Sequence, residues 1–131
     1  MFHDKIEPSD IKQGQISNCW FLSALACLAE RPELVERLFV TKDINEHGIY
    51  RVRMCKNAEW VLLTIDDYIP CYPGRGPMFS RANGPELWVL LLEKAYAKAH
   101  GSYDSLKYGF TKHGMLDLTG FPTMFYEIPT L

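Results

Sequence analysis

Cys19 stands between two stretches of opposite character. Before it runs Gln13-Gly14-Gln15-Ile16-Ser17-Asn18, polar and glycine-containing; after it comes the apolar run that opens with Trp20-Phe21-Leu22. Asn18 is a good N-cap type, and Trp20 to Ala29 reads as a helix. Cys19 then sits at the positive end of the helix macrodipole, a place that favours the thiolate, the nucleophilic form of cysteine. Gln13 lies one loop upstream, where its amide could reach the same spot. A thiol nucleophile and an amide donor for a developing oxyanion are parts of an acyl-transfer site. The bland alternative is a buried helix cysteine and a glutamine that bonds only backbone.

The elements that must hold these residues follow from punctuation and periodicity. Residues 1–18 form an irregular approach with Pro8 and Gly14 as breaks. The helix over Trp20 to Ala29 has small residues at Ser23, Ala24, Ala26 and Ala29 for close packing, and Cys27 reads as core. Arg31-Pro32 breaks it, and Pro32 at N1 starts a second helix to about Leu38, with Leu34, Val35, Leu38 and Phe39 as its apolar face. Ile49 to Cys55 and Trp60 to Asp66 are β-leaning runs joined by a turn at Lys56-Asn57-Ala58-Glu59, so they predict a hairpin. Asp66-Asp67 at the strand end reads as solvated. Residues 70–77 read as a loop rich in Gly and Pro. Pro85 opens the longest helix, to about His100, with Trp88, Leu91, Leu92, Ala95, Tyr96 and Ala99 on one face and Gly101 as its stop. A short helix near Met115 to Leu118 and a strand over Thr123 to Ile128 complete the expected elements. His113 reads as a surface loop residue.

Composition narrows the function classes. A chain of 131 residues fits one domain or one lobe of a larger one, and 47% hydrophobic residues suffice for a core. The formal net charge of -2, with no basic stripe, argues against nucleic acid as partner. The four cysteines, Cys19, Cys27, Cys55 and Cys71, form no C-x-x-C pair and have no histidine cluster beside them, which speaks against zinc. Nothing suggests an organic cofactor. The N-terminal residues lack the apolar core of a secretory signal, and no run reaches the length of a membrane span. Reduced, intracellular and cytoplasmic surroundings are therefore expected.

Two stretches carry a specific resemblance. Asp10-Ile11-Lys12-Gln13-Gly14, followed by Asn18-Cys19-Trp20-Phe21-Leu22-Ser23-Ala24-Leu25, is similar to the active-site segment of the calpain family of cysteine proteases. Phe79 to Trp88, continuing through Leu91 to Lys98 and Gly101-Ser102-Tyr103, resembles the family's second conserved stretch. Leu116 to Gly120 is a weaker third match. The resemblance implies an α+β fold: the first, mainly helical lobe of a papain-like core, with a small antiparallel sheet, spanning residues 1–131 as a single lobe. It implies a cysteine endopeptidase that acts on protein substrates through a Cys19 acyl-enzyme. Gln13 and the Cys19 N–H would hold the oxyanion, and Trp20 would pack beneath the substrate cleft.

Further implications concern metal, base and departures. In calcium-responsive members an Asp before the glutamine and a Glu before the tryptophan of the long helix bind the ion; the matching residues are Asp10 and Glu86. Thiol protease chemistry also needs a histidine base and a group to orient it. None of His3, His47, His100 and His113 lies in the family's histidine context, so base and orienter are expected from a second lobe, and the isolated chain is expected to be inactive. The family usually has Gly-Asp before the cysteine, where this chain has Ser17-Asn18; Asn18 would keep the capping function and remove a charge beside the thiol. A different reading is a non-catalytic calpain-like interaction module; retention of Cys19 and Gln13 argues against it.

Overall fold

A computed structural model describes residues 1–2, 5–12, 18–78, 81–82 and 87–130. A 3₁₀ turn at Pro8–Asp10 leads into the short strand β1 (Ile11–Lys12). Helix α1 covers Cys19–Ala29, and α2 covers Pro32–Glu36 with Pro32 in its first turn. The hairpin consists of β2 (Ile49–Lys56) and β3 (Glu59–Asp66). Two-residue strands follow at β4 (Cys71–Tyr72), β5 (Gly76–Pro77) and β6 (Arg81–Ala82). Helix α3 spans Trp88–His100 and α4 spans Thr111–Thr119. Helices around a small antiparallel sheet make this an α+β fold, as the sequence implies.

The core lies between α1, α3 and the inner face of the hairpin. Phe21 of α1 stacks on Tyr96 of α3 with ring centroids 4.3 Å apart. Tyr50, Val52 and Met54 alternate inward along β2 and are fully buried, the period-two pattern of a half-buried strand. Leu38 and Phe39 continue the α2 face into the core, and Phe39 bridges to Val52. The β2–β3 register runs without a break from Ile49↔Asp66 to Lys56↔Glu59. Asn57 and Ala58 take φ of 52° and 63°, the left-handed pair that a two-residue hairpin turn of matching twist demands.

Several expected elements differ. The short final helix starts four residues earlier than its apolar pattern suggests and contains His113, which is therefore on a helix and not in a loop. Gly114 masks that helix in sequence because its propensity is poor. Its lack of a side chain serves packing: a Cβ there would lie 3.0 Å from the Ala24 Cβ of α1. The stretch 123–128 forms no strand; Met124, Phe125, Tyr126 and Ile128 are all exposed, and nothing among the described residues pairs with it. Asp66 is not merely solvated: it accepts from Lys94 of α3 and from the Tyr68 N–H, and these bonds hold its carboxyl below the usual aspartate range. The loop over 70–77 folds back on itself through the β4–β5 pair. Gly101 ends α3 as expected, with φ of 98°.

Candidate active site

Helix α1 begins at Cys19, so the cysteine occupies the first helical position. Asn18 precedes it with φ -105° and ψ 30°, and its carbonyl accepts from the Phe21 and Leu22 N–H groups at 3.0 and 3.1 Å. The expected side-chain cap does not form. Instead the Asn18 amide donates to Glu93 of α3 at 2.6 Å, with both residues buried. Asn18 therefore opens the helix through its backbone alone, and its side chain is bonded to a buried glutamate of α3.

The two sides of α1 differ. Phe21, Leu22, Ala24, Leu25 and Leu28 are buried, whereas Cys19, Ser23 and Cys27 are exposed. Those three recur every fourth residue and share one face. Cys27 is thus not core; it lies on the open side, along the helix from Cys19.

Trp20 forms the floor beside the cysteine. Its indole N–H donates to the Leu106 carbonyl at 2.8 Å, and its ring meets Phe21 and Tyr96 edge-on. Gly109 lies directly on the indole: a Cβ at that position would fall 2.5 Å from the ring. Cys19, Trp20, Lys107, Tyr108, Gly109 and Phe110 line an open cleft of about 350 Å³. Tyr108 is 88% exposed and Phe110 61%, so the cleft has aromatic walls accessible from solvent. Sequence reasoning missed Gly109 and Glu93. The Tyr108-Gly109-Phe110 triplet, a glycine between aromatics, was the available signal for the first; nothing local signals the second.

An adjoining cleft of about 250 Å³ shares Trp20, Tyr108 and Gly109 and has polar depths. There Asp117 accepts from Tyr96 Oη at 2.5 Å and from Lys56 Nζ at 2.8 Å. Burial, and then the Asp117 carboxylate, push the Tyr96 phenol far above its usual range, so it stays a neutral donor. His100 Nδ1 faces the Tyr96 carbonyl at 2.9 Å, which fixes the proton on Nδ1 and leaves Nε2 to accept from Lys56 at 3.2 Å. His113 packs edge-on against Phe110, and His47 faces Glu46 at 3.9 Å. None of these described histidines contacts Cys19; His3 lies outside the described residues.

The remaining candidates divide between described and undescribed positions. Gln13 and Glu86 lie outside the described residues. Asp10 is buried, and its Oδ2 accepts from the Glu7 N–H at 3.0 Å and the Trp88 indole N–H at 3.2 Å. It ties the N-terminal turn to the start of α3. Among the described residues no group of three His, Cys, Asp or Glu side chains is placed to hold a metal ion, and no helix is long and apolar enough to cross a membrane.

The family model for calpain family cysteine proteases matches residues 1–130. The chain is 46% identical over 121 residues to a calpain-type cysteine protease of Oryza sativa subsp. japonica, and 45% identical over 121 residues to one of Zea mays; each match covers 92% of this chain. It is 38% identical over 123 residues to the calpain-1 catalytic subunit of Macaca fascicularis, again over 92% of this chain. The chain spans 6% of the length of the two plant proteins and 17% of the macaque protein.

Proposed function

Since this chain belongs to the calpain family of cysteine proteases, we propose that it is the nucleophile-bearing lobe of a calpain-like endopeptidase. The observation that carries this reading is the exposed Cys19 at the first position of α1, inside a cleft floored by Trp20. Cys19 Sγ attacks the scissile carbonyl of an extended protein segment. The carbonyl oxygen becomes an oxyanion held by the Cys19 N–H and the Gln13 amide. A histidine from a second lobe takes the thiol proton and returns it to the leaving amine, and an asparagine orients that histidine. Water then hydrolyses the acyl-enzyme. The open face of α1 bearing Cys19, Ser23 and Cys27 supports a second lobe closing against it.

Calcium is the finer part of the proposal. Asp10 offers one carboxylate, and its Oδ2 already accepts two N–H groups. A calcium shell takes about six to eight oxygens, which the described residues do not supply. Asp10 and Glu86 are the residues whose replacement tests calcium binding, read by calcium titration calorimetry of the parent protein.

The experiment for the main reading is hydrolysis of a fluorogenic peptide. The parent polypeptide should turn it over, Cys19→Ala should abolish turnover, and the isolated 131-residue chain should be inactive. Turnover that survives Cys19→Ala in the parent removes Cys19 as nucleophile. Cys19-dependent turnover by the isolated chain removes the need for a second lobe.

A further inference from the structure

The pair that opens α1 has a chemistry that ordinary helix capping does not need. An N-cap asparagine normally accepts from an amide of the first turn through its side-chain oxygen. Here Asn18 makes no such bond and turns its amide to Glu93 Oε2 at 2.6 Å. Asn18 is 2% exposed and Glu93 1% exposed, and they are 75 residues apart in sequence. A buried carboxylate is costly unless well bonded, so a position that keeps one is under strong local demand. The same carboxylate contributes, after burial, to raising the Tyr103 phenol.

We propose that Glu93 is a positioning residue for the Cys19 nucleophile, tying Asn18, and through it the first turn of α1, to the buried helix α3. This rests on the reading of Cys19 as the nucleophile. The mechanism is geometric. Glu93 lies on α3, where Val89, Leu92 and Tyr96 are also fully buried. The Asn18 side chain held there fixes the Asn18 backbone, whose carbonyl starts the helix at Phe21 and Leu22. Cys19 follows directly, so both the thiol and the N–H of one residue are placed together. The Asn18 side chain gives no capping bond to the first-turn N–H groups, so its contact at this end of α1 is the bond to Glu93. Any effect of a Glu93 charge on the thiol would oppose the thiolate, so the role proposed rests on the hydrogen bond alone.

That sign makes the test discriminating. The readout is iodoacetamide alkylation of Cys19 resolved by peptide mass spectrometry, with the exposed Cys71 of the same molecule as internal reference. Glu93→Leu and Asn18→Ala should each slow Cys19 relative to Cys71 by about tenfold, and the double variant should be no slower than the slower single one, as expected for partners in one interaction. Glu93→Gln keeps an acceptor oxygen without the charge and should rescue the rate. A Cys19 rate unchanged in folded Asn18→Ala overturns the proposal, as does a Glu93→Gln variant as slow as Glu93→Leu. If Glu93→Leu does not fold, Asn18→Ala and Glu93→Gln decide. Alkylation needs no turnover. Failure here with Cys19-dependent hydrolysis by the parent would refute the positioning role alone, whereas hydrolysis that survives Cys19→Ala would refute the nucleophile reading on which it rests.

Discussion

At the scale of single residues, the site depends on contacts too close for any substitute. Gly109 rests on the Trp20 indole, and that indole is held by its bond to the Leu106 carbonyl. Gly109→Ala must therefore displace a tethered ring. It should destabilise the chain by about 1–3 kcal/mol, read as a lower urea midpoint at unchanged slope. Tyr96→Phe removes one donor to the buried Asp117, while Lys56 remains. A loss of about 1.5–3 kcal/mol is expected for a bond to a charged acceptor, measured by thermal unfolding. The start of α1 at Cys19 was legible because a helix start and an apolar run are local signals. The exposure of Cys27 was not, because a small sulfur residue within an apolar run carries no mark of which face it occupies. Nor was Glu93, whose partner is fixed only by how α1 and α3 pack.

At the scale of elements, the hairpin and its anchor carry two predictions. Ala58 holds φ of 63° in the β2–β3 turn, a conformation that costs an alanine about 1–2 kcal/mol. Ala58→Gly relieves that strain at some cost in chain entropy, and a net gain of about 0.5–1 kcal/mol is expected in denaturant unfolding. Asp66 joins the end of β3 to α3 through Lys94, and its pKa is lowered from 3.8. A lowered folded-state pKa means the stabilisation is present above 3.8 and lost as pH falls through the folded value. Asp66→Asn should therefore be less stable than the native chain at pH 7, and the gap should close in acid; the half-exposed carboxylate keeps the difference small. A gap that widens in acid would contradict this. The hairpin was legible because β2 alternates and its turn is bounded by polar residues. The antiparallel pair β1–β6, with Ile11 opposite Ala82, and the pair β4–β5 were not, since two-residue strands carry no periodicity. The extent of α4 was hidden by Gly114, whose packing against Ala24 overrides its poor propensity. Thr123 to Ile128 has β-leaning residues but no neighbouring strand to pair with among the described residues.

At the scale of the whole molecule, α1 is the axis: one side forms core, and the other presents Cys19, Ser23 and Cys27. That asymmetry is what a lobe needs if a partner lobe completes its chemistry, and the chain's 6–17% share of its relatives' lengths is consistent with such a division. Cys19 is proposed as the nucleophile of this fold. The most direct measurement is covalent capture by a peptidyl electrophile in the parent polypeptide, followed by intact mass and peptide mapping. One adduct per chain is expected, located on Cys19 and absent in Cys19→Ser. An adduct on another cysteine, or labelling undiminished by Cys19→Ser, would contradict it.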